Sequence, residues 1–349
     1  MKSWVKKFFV KSGFFRAAAR LKPPAAVILA YHSVRDDPRQ DSNWIGPGIT
    51  HATKVFQRHM ELVAHRFHPV GLEDIALFVR GEKALPSRAV AVTFDDGYVD
   101  NFEVAGPVLT RFGISAAIYL TVSMIGQPDA PWFSRVRNAF ISTSCAQWDS
   151  SLHRQKWDLS FPPSRERALL AAYDVCAPHV GQAQEEVVAL IEQELQVPPR
   201  LPERRLMLTW DEARKLRRAG HIVGSHTLTH PNVAHVAKRQ AMYEELIESK
   251  SRLERELAES VLHFSYPHPA LNPQWNRHSL QLTLDAGYQT ALTTTKGPVF
   301  AGMNPLLLSR MNAPRPEYEF LWNLERAFLK PHLDPLNASP APVESEMYS

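Results

Sequence analysis

Ala89-Val90-Ala91-Val92-Thr93-Phe94-Asp95-Asp96-Gly97-Tyr98 decides how the rest of this chain is read. The first six residues make a short apolar run whose length and β-branching predict a buried strand rather than a helix. The two carboxylates then stand where that strand ends. Neighbouring side chains on a strand point to opposite faces, so Asp95 and Asp96 share one cavity only if the backbone turns there. Gly97 permits the turn. An Asp-Asp-Gly turn taken alone is a common solvated loop, so its meaning rests on partners elsewhere.

Working outward, residues 25–31 predict a second strand, which delivers Tyr31-His32-Ser33-Val34 to its end. A lone His at such a place reads first as a hydrogen-bonded structural residue. Residues 54–66 and 72–81 read as helices around a short strand at 67–70. After Tyr98 a helix runs to about Arg111, is stopped by Gly113, and gives way to a strand over 115–122. From about 126 to 205 the pattern breaks into an insertion holding Trp132, Phe133, several prolines and a helical stretch between 165 and 195. Its default reading is padding on one side of the body, with a lid over a cleft as the alternative.

The pattern resumes at Thr209-Trp210-Asp211-Glu212, where Thr209 and Glu212 form the two halves of a capping box, and Gly220 closes that helix. A strand from 221 then runs into Ser225-His226-Thr227-Leu228-Thr229-His230. An amphipathic helix over 237–259 follows, then a strand over 262–266 ending in Tyr266-Pro267-His268-Pro269. Residues 274–286 read as a helix, 289–293 and 306–310 as strands, and 316–329 as a closing helix. Strands alternating with helices predict a parallel sheet with helices outside. Seven or more strands, with the polar groups gathered at their C-terminal ends, predict a (β/α) barrel, complete or missing a strand. No internal repeat and no Gly-rich phosphate loop is present in the sequence.

His226 and His230 with one of the two aspartates make a common donor set for a hydrolytic zinc that keeps an open position. The other carboxylate is then placed to take a proton as general base. The combination points to a metal hydrolase.

The chain has 349 residues, 44% hydrophobic and 22% charged, enough for one large domain or two smaller ones. Of its 40 Lys and Arg, seven fall within residues 1–22, where no Asp or Glu occurs, so the rest carries 33 basic against 36 acidic groups. A positive charge confined to one arm argues against nucleic acid as a partner. Within the arm, Trp4, Phe8 and Phe15 fall on one side of a helical wheel and Lys2, Lys6, Arg16 and Arg20 largely on the other. Two readings stand: a helix lying on an anionic membrane surface, or one packed on its own domain. No secretory signal is read in the arm and no apolar run is long enough to span a bilayer, so a cytoplasmic or cytoplasmic membrane-surface location is expected. Cys145 and Cys176 lack any paired spacing and read as ordinary thiols. Residues 331–349, rich in proline, are expected to be a disordered tail.

Thr93-Phe94-Asp95-Asp96-Gly97 followed by Ser225-His226-Thr227-Leu228-Thr229-His230 resembles the first two motifs of the polysaccharide deacetylase family, carbohydrate esterase family 4 or NodB homology domain. The resemblance covers about residues 24–330 apart from the insertion, and the corresponding domain is read as 23–330. It implies a distorted (β/α)7 barrel that removes N-acetyl groups from amino sugars, with Asp95 as general base and Asp96, His226 and His230 holding a divalent metal. Zinc is the expected ion, with cobalt, nickel or iron(II) as alternatives. The stretch Leu29-Ala30-Tyr31-His32-Ser33-Val34 is similar to the branch acting on poly-β-1,6-N-acetylglucosamine, in which an acid histidine lies near the N-terminus; His32 matches it. The family's third motif reads Arg-x-Pro-Tyr-Gly or Tyr-Pro-x-Gly. Here Tyr266-Pro267-His268-Pro269 has no Arg and has proline in place of glycine. Pro269 lacks an N–H, so an oxyanion donor from this loop falls to the backbone of His268. Arg310 is a candidate to orient Asp95 in place of the missing arginine, and Trp132 a candidate for the wall of the sugar cleft. The expected partner is an N-acetylated amino-sugar glycan. A deformylase or other deacylase of a lipid-linked aminosugar, and a catalytically silent glycan-binding protein, are the competing readings.

Overall fold

The structure, a computed structural model, describes residues 12–19 and 21–331. Most of the basic arm (residues 1–11 and 20) and the tail from 332 onward lie outside the described residues. The strands are β1 (Ala26–Tyr31), β2 (Ser33–Arg35), β3 (Thr50–Ala52), β4 (His68–Pro69), β5 (Ala89–Phe94), β6 (Ala116–Leu120), β7 (Gln147–Ser150), β8 (Gln155–Asp158), β9 (Ile222–Ser225), β10 (His263–Ser265), β11 (Thr290–Lys296) and β12 (Leu308–Asn312).

Seven of them close on themselves in the order β1-β12-β11-β10-β9-β6-β5, with β1 back on β5, and every pairing in this ring is parallel. The closing seam is regular, running from Ala26↔Ala89 to Tyr31↔Phe94. All residues of β1 and β5 are buried, because one face fills the barrel and the other lies under helices. The distortion lies opposite. There β9 and β10 share the single register pair Phe264↔Ser225, and β11 slips against β12 between Leu292 and Lys296. Gly224 belongs to that tight side: a Cβ there would lie 2.7 Å from the Tyr119 ring and 2.8 Å from the His263 carbonyl oxygen. The two-residue β4 adds to the start of β5. The fold is a distorted (β/α)7 barrel.

Helices Thr53–Arg66, Leu72–Val79, Gly106–Phe112, Trp210–Arg218, Arg239–Leu257, Arg277–Asp285 and Glu317–Ala327 surround it. The first shows why they stay: Phe56, Met60 and Val63 recur at helical spacing and are buried. The Thr209–Glu212 capping box forms as the sequence predicts, with the Glu212 N–H on Thr209 Oγ1 and the Thr209 N–H on Glu212 Oε2. The segment after Tyr98 differs from the single helix expected. Asn101–Ala105 is a π-helical turn that leads into Gly106–Phe112.

The insertion folds around its own core. Helices Trp132–Ser142, Pro162–Cys176 and Gly181–Glu194 bury Val136, Phe140, Leu169, Val188 and Ile191 around Trp148 of the β7–β8 hairpin. The helical stretch expected over 165–195 is thus two helices, divided at Gly181, whose φ is +53°. Cys176 is a buried free thiol and Cys145 a partly buried one. Of the arm, Phe15 packs edge-on against Trp322 at 5.4 Å between centroids while Phe14 is exposed. No helix among the described residues is long and apolar enough to cross a membrane.

Candidate metal and catalytic site

The turn that ends β5 is tighter than a glycine alone supplies. Asp96 and Gly97 both take left-handed backbone, with φ +75° and +85°. Asp tolerates that region better than bulkier residues do. A Cβ at Gly97 would also fall 2.9 Å from Leu120 Cδ2. The consequence is the one the sequence required: both carboxylates are buried and line one cleft of about 480 Å³ at the C-terminal ends of the strands.

His226 follows β9 and its backbone N–H donates to the Leu120 carbonyl. The loop from His226 to His230 is strained, since Thr227 and His230 have φ +66° and +64°, and a β-branched residue there is uncommon. Hydrogen bonds hold it. Thr227 Oγ1 accepts from the His230 N–H at 3.0 Å, and the Glu245 carboxylate accepts from the Leu228 N–H, the Thr229 N–H and Thr229 Oγ1 at 3.0, 2.8 and 2.6 Å. Burial pushes the Glu245 carboxyl up, partly opposed by these donors. Sequence reading missed Glu245 because on the helix wheel it is one more acid on a charged helix; only its place beside Leu246 on the inner side marks it.

Asp96, His226 and His230 bring one ligand atom each to within 4.8 Å of one another. Asp96 Oδ1 stands 3.5 Å from His226 Nε2 and 3.3 Å from His230 Nε2. Two ligand atoms on one tetrahedral zinc stand about 3.4 Å apart, whereas a charge-assisted hydrogen bond is about 2.8 Å. His226 Nδ1 donates to the Ser265 carbonyl at 2.7 Å, so its proton is on Nδ1 and Nε2 presents a lone pair. The three residues fit a divalent ion. Burial opposes charge on Asp96, but the facing His226 and His230 rings and the His32 ring hold its carboxyl well below the usual range.

Asp95 is set apart from this group. Arg310, in the middle of β12, grips it with both arms, Nη1 to Oδ1 and Nη2 to Oδ2 at 2.8 Å each, and is itself fixed by Nε on the Thr293 carbonyl. Burial works against the carboxylate, yet the Arg310 guanidinium and the His226 and His32 rings keep its carboxyl below the ordinary value. His32, just past β1, lines the same cleft. Its backbone is pinned by residues that sequence reasoning passed over. Asn101 Nδ2 donates to the His32 carbonyl at 2.7 Å, and Asp100 accepts from Ser33 Oγ, the Val34 N–H and Arg35. Burial pushes the Asp100 carboxyl up to about 6 against those donors.

Tyr266 and His268 both line the cleft. The Tyr266 N–H is already bonded to Leu292, and Gln274 ties down its carbonyl. The His268 N–H, between two prolines, has no acceptor among the described residues, which is the condition an oxyanion donor needs. Two expectations are corrected. Trp132 does not line the cleft; it is buried in the insertion core, donating from Nε1 to the His230 carbonyl at 3.3 Å. The insertion is not padding, because Phe133, Arg137, Glu166, Leu169, Leu170 and Tyr173 make one wall of the cleft. Phe133, whose ring centroid is 4.6 Å from that of His230, takes the place expected of Trp132. A larger hollow of about 1090 Å³ between Arg80, Tyr288 and Leu306 contains none of the predicted site residues.

A closed parallel barrel with a buried Asp-His-His set at its C-terminal strand ends defines the class of protein. The sequence pattern of the polysaccharide deacetylase family matches residues 82–291, and the chain belongs to that family. It is 31% identical over 106 residues to a polysaccharide deacetylase named YxkH in Bacillus subtilis, a match covering 30% of this chain and 35% of that protein. In solved structures it is similar to the Streptococcus pyogenes deacetylase PplD in complex with acetate, with a TM-score of 0.57 at 15% identity over 88% of this chain and 100% of that one. IcaB from Ammonifex degensii gives 0.58 at 14% identity, covering 88% and 99%. A de-N-acetylase from Aggregatibacter actinomycetemcomitans gives 0.55 at 16%, covering 86% and 99%. At these identities the likeness is one of fold.

Proposed function

We propose that this protein is a metal-dependent hydrolase that removes N-acetyl groups from N-acetylhexosamine residues of a surface polysaccharide or its lipid-linked precursor. The observation that carries the reading is the division of labour between adjacent carboxylates: Asp96 faces His226 and His230, while Asp95 faces Arg310 in the same cleft. Asp96, His226 and His230 would hold the ion, with zinc first in line. Such an ion supplies positive charge that polarises a carbonyl oxygen and acidifies water.

Every other role belongs to this chain's own side-chain and backbone groups. Asp95, kept ionised and oriented by the bidentate Arg310 contact, accepts the proton of the attacking water. His32 gives a proton to the amine as the amide bond breaks. The His268 N–H is the candidate donor to the oxyanion. The burial of Asp95 and Asp96 limits the screening of their charges by water.

Purified protein given zinc or cobalt should release acetate from chito-oligomers, β-1,6-linked oligomers or lipid-linked glycans, and mass spectrometry of the product separates loss of acetyl from loss of formyl. No acetate from any of the three substrates rejects the reading. Association of the arm with an anionic membrane at the cytoplasmic face belongs to the same proposal. Sedimentation with anionic liposomes should depend on residues 1–22, and equal binding without them rejects the anchor.

A further inference from the structure

We infer that Arg137 is an anion-binding subsite of the cleft, and that the substrate therefore bears a phosphate ester or carboxylate close to the N-acetylhexosamine. The inference rests on the cleft being the glycan site and narrows the substrate class.

Arg137 lies one helical turn after Phe133 on Trp132–Ser142, and both side chains line the cleft. Its Nε donates to the Ser42 carbonyl at 2.8 Å, and the guanidinium lies beside the backbone of Gly46, with Nη1 3.8 Å from where a Cβ would be. One of its five N–H groups is thus used, in a way that fixes the plane of the fork. Among the described residues Arg137 enters no ion pair, unlike the other arginine in the cleft, Arg310, which is paired with Asp95. Arg135, two residues earlier on the same helix, is held by Glu185 and Glu192. Arg137 is also only partly exposed, and a charge withdrawn from water without a partner costs free energy.

A ligand anion offsets that cost. The fork matches the two oxygens of a carboxylate or phosphate. Trp44, Phe133 and Tyr173 around it offer flat faces to a sugar ring. One carboxylate, Glu166, lines the same wall and makes no ion pair with Arg137. An uncharged homopolymer of N-acetylhexosamine offers no such group. Two sources do: the phosphate of a lipid-linked precursor, and an acidic sugar in a mixed polymer.

The test measures binding, by calorimetry on the zinc-loaded full chain, of three probes that the enzyme does not consume: a glucosamine disaccharide with free amines, its 1-phosphate, and a disaccharide in which glucosamine neighbours a uronic acid. At least one charged probe should bind about tenfold or more tighter than the neutral one. Arg137→Ala should bring the charged probes down to the neutral affinity, and Arg137→Lys, which keeps a cation, should retain part of the preference. Preference for the phosphate alone identifies the precursor, and preference for the uronic acid identifies an acidic polymer. Equal binding of all three probes overturns the proposal, as does no measurable binding of either charged probe. A preference that survives Arg137→Ala also overturns it, by assigning the anion to the metal or Arg310. Because no turnover is read, failure of acetate release leaves this result standing, and the reverse holds too.

Discussion

The two walls of the cleft are built on different terms. On the barrel side Asp95, Asp96, His226 and His230 are buried, and four backbone positions in their loops, Asp96, Gly97, Thr227 and His230, take left-handed conformations. On the insertion side Leu170 and Glu166 are exposed, and the helix that carries both, Pro162–Cys176, answers to a separate core around Trp148. Strain and burial are tolerated where geometry must be held within fractions of an ångström. Exposure suffices where a surface only has to match a substrate. The barrel side is therefore read as the chemistry and the insertion side as the choice of glycan.

The largest expected effects lie on the barrel side. Asp95→Asn should lower acetate release by about a thousandfold or more while leaving metal content unchanged, because Asp95 faces Arg310 and not the ion. His226→Ala should lose the metal by elemental analysis. If both variants lose metal equally, the separation of base from ligand is wrong. Next comes Arg310→Lys, which keeps the charge but not the two-armed grip on Asp95. It should cost about ten- to a hundredfold in kcat with little change in KM, and a variant with unchanged kcat would reduce Arg310 to a structural ion pair.

The barrel was legible because its signal is local. Runs such as residues 89–94 announce buried strands, and Thr209 with Glu212 announces a helix start. The four central site residues were legible because they sit at strand ends. What stayed hidden depends on distant contacts. Trp132 and Phe133 are adjacent aromatics, and nothing in the sequence says which faces the cleft; the phase of a helix packed on the insertion's own core decides it. Glu245 supports a loop 16 residues earlier in the chain. Arg137 is one of two arginines on Trp132–Ser142, and its lack of a carboxylate partner among the described residues is a property of the folded chain alone.

The walls should also differ in their response to acid. Tyr31, His51 and His59 pack against one another, with His59 stacked on Phe320 at 3.9 Å. Burial pushes His51 down to about 4 and His59 down to about 3. The unfolded chain then binds protons that the folded one refuses between pH 6.5 and about 4, so stability is full above 6.5 and falls as pH drops through that window. Each histidine contributes a slope of about 1.4 kcal/mol per pH unit at its steepest. The insertion has no fully buried histidine among the described residues. Asp100, whose raised carboxyl takes up a proton in the folded chain, works in the opposite sense between about pH 6 and 4. Urea unfolding at pH 7.5 and 5 should therefore show a net loss of about 2–3 kcal/mol, with hydrogen exchange accelerating first around β1 and β3. Equal stability at both pH values would mean that these imidazoles accept protons in place.

The smallest effect is the most direct probe of the division. Leu170 is 53% exposed yet lines the cleft, so it contributes little to folding. Leu170→Ser should leave unfolding free energy within about 0.5 kcal/mol and raise KM a few-fold at constant kcat, the mark of a contact made equally in ground and transition states. Phe133→Leu is the informative partner, because the Phe133 ring lies against His230 and belongs to both walls. It should raise KM and lower kcat together. If Leu170→Ser lowers kcat as much as Phe133→Leu does, the insertion takes part in the chemistry and the two walls act as one.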